Sequence, residues 1–243
     1  MFDYFGDAPK DIIGHLRPLF ARGACYVRED GKIGIKGNNV WDVPWIHVMP
    51  KGGEIEARDR LALCFLSMDV KFRFYNFVPI RCHACWKVVV RPRTVKELFA
   101  LHELQKELNL WSKAGIEERP FVPAIYGGYF YNDTIEEGHE CKSIVAKAVA
   151  SEISRDIPVF LKRGCTEYER VFPERGWRIP PGQKEFEAWM DDLLVLEVNK
   201  IQPPDFMELN AKRKWVERAF EIGDATYLDF THNRPLHPLP EAY

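Results

Sequence analysis

Apolar positions alternate with polar ones over the first third of this chain, and from about residue 85 they fall into alternating strand-like and helix-like blocks. Cys25-Tyr26-Val27-Arg28 and Ile33-Gly34-Ile35-Lys36 flank Asp30-Gly31, and Asp-Gly between alternating runs predicts a β-hairpin. Val40 to Met49, broken by Pro44, and Val70 to Ile80 read as further strands. Pro9 to Ala21 reads as a short helix interrupted at Pro18, and Glu54 to Met68 fits either period.

Strand–helix units follow from Lys87. Lys87-Val88-Val89-Val90-Arg91 predicts a buried strand, and Thr94 with Glu97 forms a capping box opening a helix to Leu108. Phe121 to Tyr126 is a weaker strand, and Thr134 with Glu137 opens a second helix running to about Ser154. Ile157 to Leu161 is the third strand, followed by Thr166 and Glu169 at a third box. Gln183 to Val198 and Asp205 to Ile222 predict helices separated by Pro203-Pro204, and the tail from Asp224 reads as extended. The pattern predicts a mixed α/β fold. It has a β-leaning region over 1–80 and an α/β region over 81–243 with a helical C-terminal part, either as two regions or interlocked as one domain.

Three such units in series predict a partly parallel sheet whose strand-to-helix loops share one edge. Those loops are Arg91-Pro92-Arg93, Tyr126 to Asp133 and Lys162 to Cys165, and ligands of open α/β sheets bind at that edge. Arg91, Arg93 and Arg163 there suit an anion, since guanidinium forks match carboxylate and phosphate. The glycines of Tyr126-Gly127-Gly128-Tyr129 allow close approach of a ligand, with Tyr126 and Asn132 as contacts. Tyr129 and Arg163 are the candidate catalytic groups, and Arg91, Arg93, Tyr126 and Asn132 the candidate substrate contacts. Solvated charges and a packed aromatic loop are the plainer reading of these residues.

The sharpest chemical signal is Cys82-His83-Ala84-Cys85, a C-x-x-C pair that can grip one metal ion or a corner of an iron–sulfur cluster. A strand follows the pair where a thioredoxin-type motif needs a helix, and no second knuckle completes a zinc ribbon. Cys165, at a loop-to-helix junction, and Cys141, on a helix face with Ile144 and Val145, would complete a Cys₄ set for a [4Fe–4S] cluster. Zinc closed by scattered residues, with His83 or His139 as a ligand, is the alternative. Cys25 and Cys64 lie in apolar runs and read as core.

Composition narrows the setting. A net charge of −2 excludes a protein that coats nucleic acid by charge alone. No apolar run reaches membrane-spanning length, and the acidic, aromatic N-terminus is no secretory signal, so a soluble cytoplasmic protein without membrane contact is expected. Six cysteines in 243 residues are no disulfide framework. The sequence therefore points to an iron–sulfur-dependent enzyme acting on a small anionic substrate. The alternative is a zinc-stabilised, non-enzymatic module that binds nucleic acid or protein.

Overall fold

The computed structural model describes residues 12–37, 44–52, 63–173, 177–198 and 205–237. It opens with helix α1 (Ile12–Ala21) and strands β1 (Cys25–Val27), β2 (Ile33–Gly37) and β3 (Ile46–Val48). Helix α2 follows, π-helical over Leu66–Phe72 and running into Arg73–Tyr75, then the short α3 (Ile80–His83). Next come β4 (Trp86–Val90), α4 (Val95–Leu108), β5 (Ser112–Ile116), β6 (Tyr126–Asn132), α5 (Ile135–Glu152) and β7 (Val159–Arg163). The chain ends on α6 (Thr166–Val171), α7 (Gln183–Leu193), β8 (Leu194–Val198), α8 (Asp205–Glu221) and a 3₁₀ turn at Ala225–Phe230. It is a mixed α/β protein.

Two compact units interleave along the sequence. One comprises Met1–Val40, Gly53–Ala84 and Gly164–Ile201, and the other Trp41–Gly52, Cys85–Arg163 and Gln202–Tyr243. The first has a three-stranded sheet in the order β1-β2-β8. The Asp30-Gly31 hairpin forms as its pattern predicts, with β1 antiparallel to β2 and Gly31 at φ +78°. β8 joins parallel to β2, so the predicted helix over 183–198 ends at Leu193 and its last residues are a strand. Leu16, Ile35, Val70 and Met190 are fully buried here. The alternation of Val70 to Ile80 does not make a strand. Leu66, Val70 and Phe74 recur every four residues, and this helical period places all three on the core. Pro18 sits inside α1 without ending it. Residues 1–11, 40–43 and 54–62, parts of three predicted elements, and 238–243 of the tail lie outside the described residues.

The second unit carries a five-stranded sheet in the order β3-β5-β6-β4-β7, with every described pair antiparallel. Within it β4-α4-β5-β6-α5-β7 is the split β-α-β arrangement called ferredoxin-like, extended by β3. The name describes topology and carries no function. Thr94 and Thr134 cap α4 and α5, each accepting from the N–H of the glutamate three residues on, as the capping boxes predict. Both helices pack on the sheet face of Val88, Val90 and Phe130. A Cβ on Gly128 would lie 2.4 Å from Leu101, so α4 sits close because that residue has no side chain. α8 packs beside α4 through buried Trp215, whose indole N–H donates to the Pro44 carbonyl at 2.6 Å.

The expectation of a partly parallel sheet with all three loops on one edge is corrected here. Ser112-Lys113-Ala114-Gly115-Ile116 has a single β-branched residue and gives no strand signal, yet it is β5. The chain reverses from β5 into β6, which lies antiparallel between β5 and β4. Tyr126 to Asn132 is therefore strand rather than loop, and Phe121 to Tyr126 contributes only its last residue. The register then separates the predicted site. Val90 pairs with Gly128 and Val159 at one end, while Trp86 pairs with Asn132 and Arg163 at the other.

Candidate functional site

In the first unit the site begins at α3, a four-residue helix entered through Pro79. The carbonyl of Val78 just before it and its first amide are clamped from α7. Gln183 Nε2 donates to the Val78 carbonyl at 2.8 Å, and Glu187 Oε1 accepts the Ile80 N–H at 2.9 Å. Glu187 is itself held by Lys71, whose Nζ lies 3.0 Å from Glu187 Oε2 and 2.7 Å from Asp191 Oδ1. Lys71 is buried, and two carboxylates offset the desolvation of its charge. It projects from the π-helical stretch of α2, an irregularity that recurs at functional sites.

This clamp holds Cys82 against α6. The Cys82 sulfur lies 3.3 Å from the Tyr168 hydroxyl, and both residues are buried. Cys165, the residue before α6, packs on the same cluster together with Met68, Phe72 and Trp177. The tight turn into it needs glycine. Gly164 stands at φ +59°, and a Cβ there would meet the Trp177 ring at 2.5 Å. Phe72 and Trp177 meet the Tyr168 ring edge-on at 4.8 and 5.7 Å. Burial, and then the thiols of Cys82, Cys165 and Cys64, drive the Tyr168 pKa far above its ordinary range. Cys82 and Cys165, from two separate segments, thus pack with one buried hydroxyl that stays protonated, and the Cys64 thiol adds to raising its pKa. The predicted third box is displaced by one position, since Cys165 occupies the N-cap and makes no side-chain cap bond.

The other sulfur candidates are placed as follows. Cys85 is half-buried, the first residue of the second unit and one step before β4. Cys141 is buried on α5 of that unit, in the core with Val88, Phe130 and Val145, and burial raises its thiol pKa. His83 Nε2 lies 3.2 Å from the Val78 carbonyl, and His139 is exposed. All six cysteines are thiols rather than disulfides. Among the described residues no group of three His, Cys, Asp or Glu stands ready to hold a metal ion.

The second unit has a pocket of about 970 Å³ at the sheet end where β4 finishes and β6 begins. Arg91, Arg93 and Tyr126 line it as predicted substrate contacts, joined by Glu117, Arg119 and Arg218, which the sequence pattern did not single out. Arg91 Nη1 donates to the Tyr129 hydroxyl at 3.1 Å, and that hydroxyl donates to Glu117 Oε2 at 3.2 Å. Arg119 closes the chain on Glu117, with its Nε 2.6 Å from Oε1. Burial works to raise the Glu117 carboxyl, but the bonds and charge of Arg119 outweigh it and keep the group below its ordinary value. Burial raises Tyr129 against the pull of Arg91, so the hydroxyl is a fixed relay of hydrogen bonds rather than a ready acid. The Tyr126 hydroxyl donates to Asp224 Oδ2 at 2.8 Å, and burial together with that carboxylate raises its pKa as well.

Arg163 and Asn132 do not join this group. They pair with Trp86 at the opposite end of the strands, where the Arg163 guanidinium lies 5.8 Å from the Trp86 ring. The antiparallel register excludes both from the pocket. The sheet face away from α4 and α5 does alternate basic and aromatic residues, with Lys113 opposite Tyr129 and Lys87 opposite Tyr131. Val89 and Tyr129 at its centre are buried, so it presents no open platform for stacking bases.

No family model, curated protein or solved structure matches this chain. Among the described residues no helix is long and apolar enough to cross a membrane.

Proposed function

We propose that this protein carries an iron–sulfur cluster of the [4Fe–4S] type, held by Cys64, Cys82 and Cys165 of the first unit, and serves as an enzyme for a small anionic substrate. The observation that carries the reading is Cys82 at 3.3 Å from the Tyr168 hydroxyl with Cys165 packed on the same cluster, and Cys64 is near enough to act on that hydroxyl. Cys64 takes the place that the sequence pattern gave to Cys141, a core side chain of the other unit.

Iron–sulfur is favoured over zinc by a donor set of thiolates, since His139 is exposed and His83 already meets the Val78 carbonyl. The aromatic wall of Phe72, Tyr168 and Trp177 would exclude water from such a centre. The pocket lined by Arg91 and Arg93 supports the anionic substrate. A chain with six reduced cysteines suits the reducing cytoplasm.

The test is elemental analysis of protein purified without oxygen. About four iron and four sulfide per chain, with visible charge-transfer absorption, is the expected outcome. Stoichiometric zinc in colourless protein would move the reading to a zinc-stabilised module, and the absence of both metals would end it.

A further inference from the structure

We infer that the pocket of the second unit binds a monocarboxylate with an apolar body through the guanidinium of Arg91. The inference narrows the anionic substrate of the reading above, and rests on that reading only in calling the ligand a substrate. Of the four arginines lining the pocket, three are already paired with carboxylates. Arg93 lies 2.7 Å from Glu97, Arg119 is bound to Glu117, and Arg218 lies 2.9 Å from Glu221. Arg91 has no carboxylate partner among the described residues.

Arg91 is nevertheless held in place. One Nη is spent on the Tyr129 hydroxyl, and the guanidinium carbon lies 5.5 Å from the centre of the Tyr129 ring. Glu117, itself buried, fixes that hydroxyl by accepting its hydrogen bond. A guanidinium oriented in this way keeps unused N–H donors in a fork that matches a carboxylate.

The pairing favours a monoanion. Arg93, Arg119 and Arg218 already face carboxylates, so a single carboxylate meets Arg91 one charge to one, whereas a dianion such as phosphate brings a second charge to a lining that also carries Glu117, Glu118, Asp156 and Glu221. The rest of the wall is apolar and rich in proline, including Pro92, Pro120, Pro123 and Pro158. Proline has no N–H, so this wall has few donors for further polar groups and suits an apolar body. The volume, about 970 Å³, accommodates a ring system of drug-like size.

The experiment titrates the purified full chain with 2-naphthoate, its neutral isostere 2-naphthamide, and inorganic phosphate, following probe fluorescence or ligand NMR. Naphthoate is expected to bind about tenfold or more tightly than the amide, and phosphate should fail to displace it. Arg91→Gln should weaken naphthoate about tenfold, and Arg91→Lys less, since a point charge keeps attraction but loses the fork. Thermal melts of each variant separate lost folding from lost binding, and Arg91→Lys serves if Arg91→Gln does not fold. Equal affinity for acid and amide, displacement by phosphate, or unchanged affinity in Arg91→Gln would overturn the inference. Iron is assayed on the same preparation, so naphthoate binding by iron-free protein would sink the cluster reading and leave this one standing.

Discussion

At the scale of single residues, Tyr168 is the side chain on which the candidate centre turns. Its hydroxyl stays protonated because burial and the neighbouring thiols oppose its charge, so it can donate to the sulfur of Cys82. A hydrogen bond to a cluster-ligating sulfur stabilises the reduced, more negative state and raises the reduction potential. Tyr168→Phe keeps the ring against Phe72 and Trp177 and removes only the donor. The expected result, by protein-film voltammetry, is retained iron with a more negative potential. An unchanged potential with iron retained would contradict the bond. Little of this residue-level detail is legible in sequence. Cys82 and Cys85 announce themselves by spacing, but Cys64 sits in Leu61-Ala62-Leu63-Cys64-Phe65-Leu66, where a cysteine reads as core. Tyr168 lies two residues inside a helix with no motif around it. Arg91 and Arg93 were legible because basic residues ending a strand commonly face a ligand edge, whereas Arg119 and Arg218 come from segments without that signal.

At the scale of elements, the Thr94 and Thr134 capping boxes formed as their pattern predicts, because amides bonded by local side chains need no tertiary context, while the third box shifted to Cys165. Strand direction was the least dependable. One weak strand, β5, sets the orientation of β6 and through it moves Asn132 and Arg163 away from the pocket. Packing of α8 on α4 brings a further element-level consequence. His102 on α4 is fully buried, its Nε2 3.2 Å from Glu208 Oε1 on α8 and its ring edge-on to Trp215. Burial, then the charge of Lys106, holds its pKa below 6.5 despite Glu208. An unfolded chain takes up the proton near the ordinary value while the folded chain does not. The stability is therefore full above about pH 6.5 and lost as pH falls toward the depressed folded value. Burial raises Glu208, but bonds from Lys212, Lys106 and His102 overcome it and hold the carboxyl at about 2, so a second loss follows below its ordinary 4.5. Thermal melts between pH 6.5 and 5 should show a falling midpoint, and His102→Gln should flatten that slope. An equally steep slope in the variant would show that other groups carry it.

At the scale of the whole molecule, the mixed α/β class was readable because hydrophobic period survives any topology. The division into two interleaved units was not. Gly164 and Cys165 return the chain to the unit that Ala84 left, and no proline-rich or polar linker marks either crossing. The proposed ligands Cys64, Cys82 and Cys165 are accordingly far apart in sequence. The most direct test is iron content across single Cys→Ser variants prepared without oxygen. Substitution of Cys64, Cys82 or Cys165 should lose most of the iron, while Cys25→Ser and Cys141→Ser should keep it. Full iron in Cys82→Ser or Cys165→Ser, or loss confined to Cys141→Ser, would contradict the proposed centre.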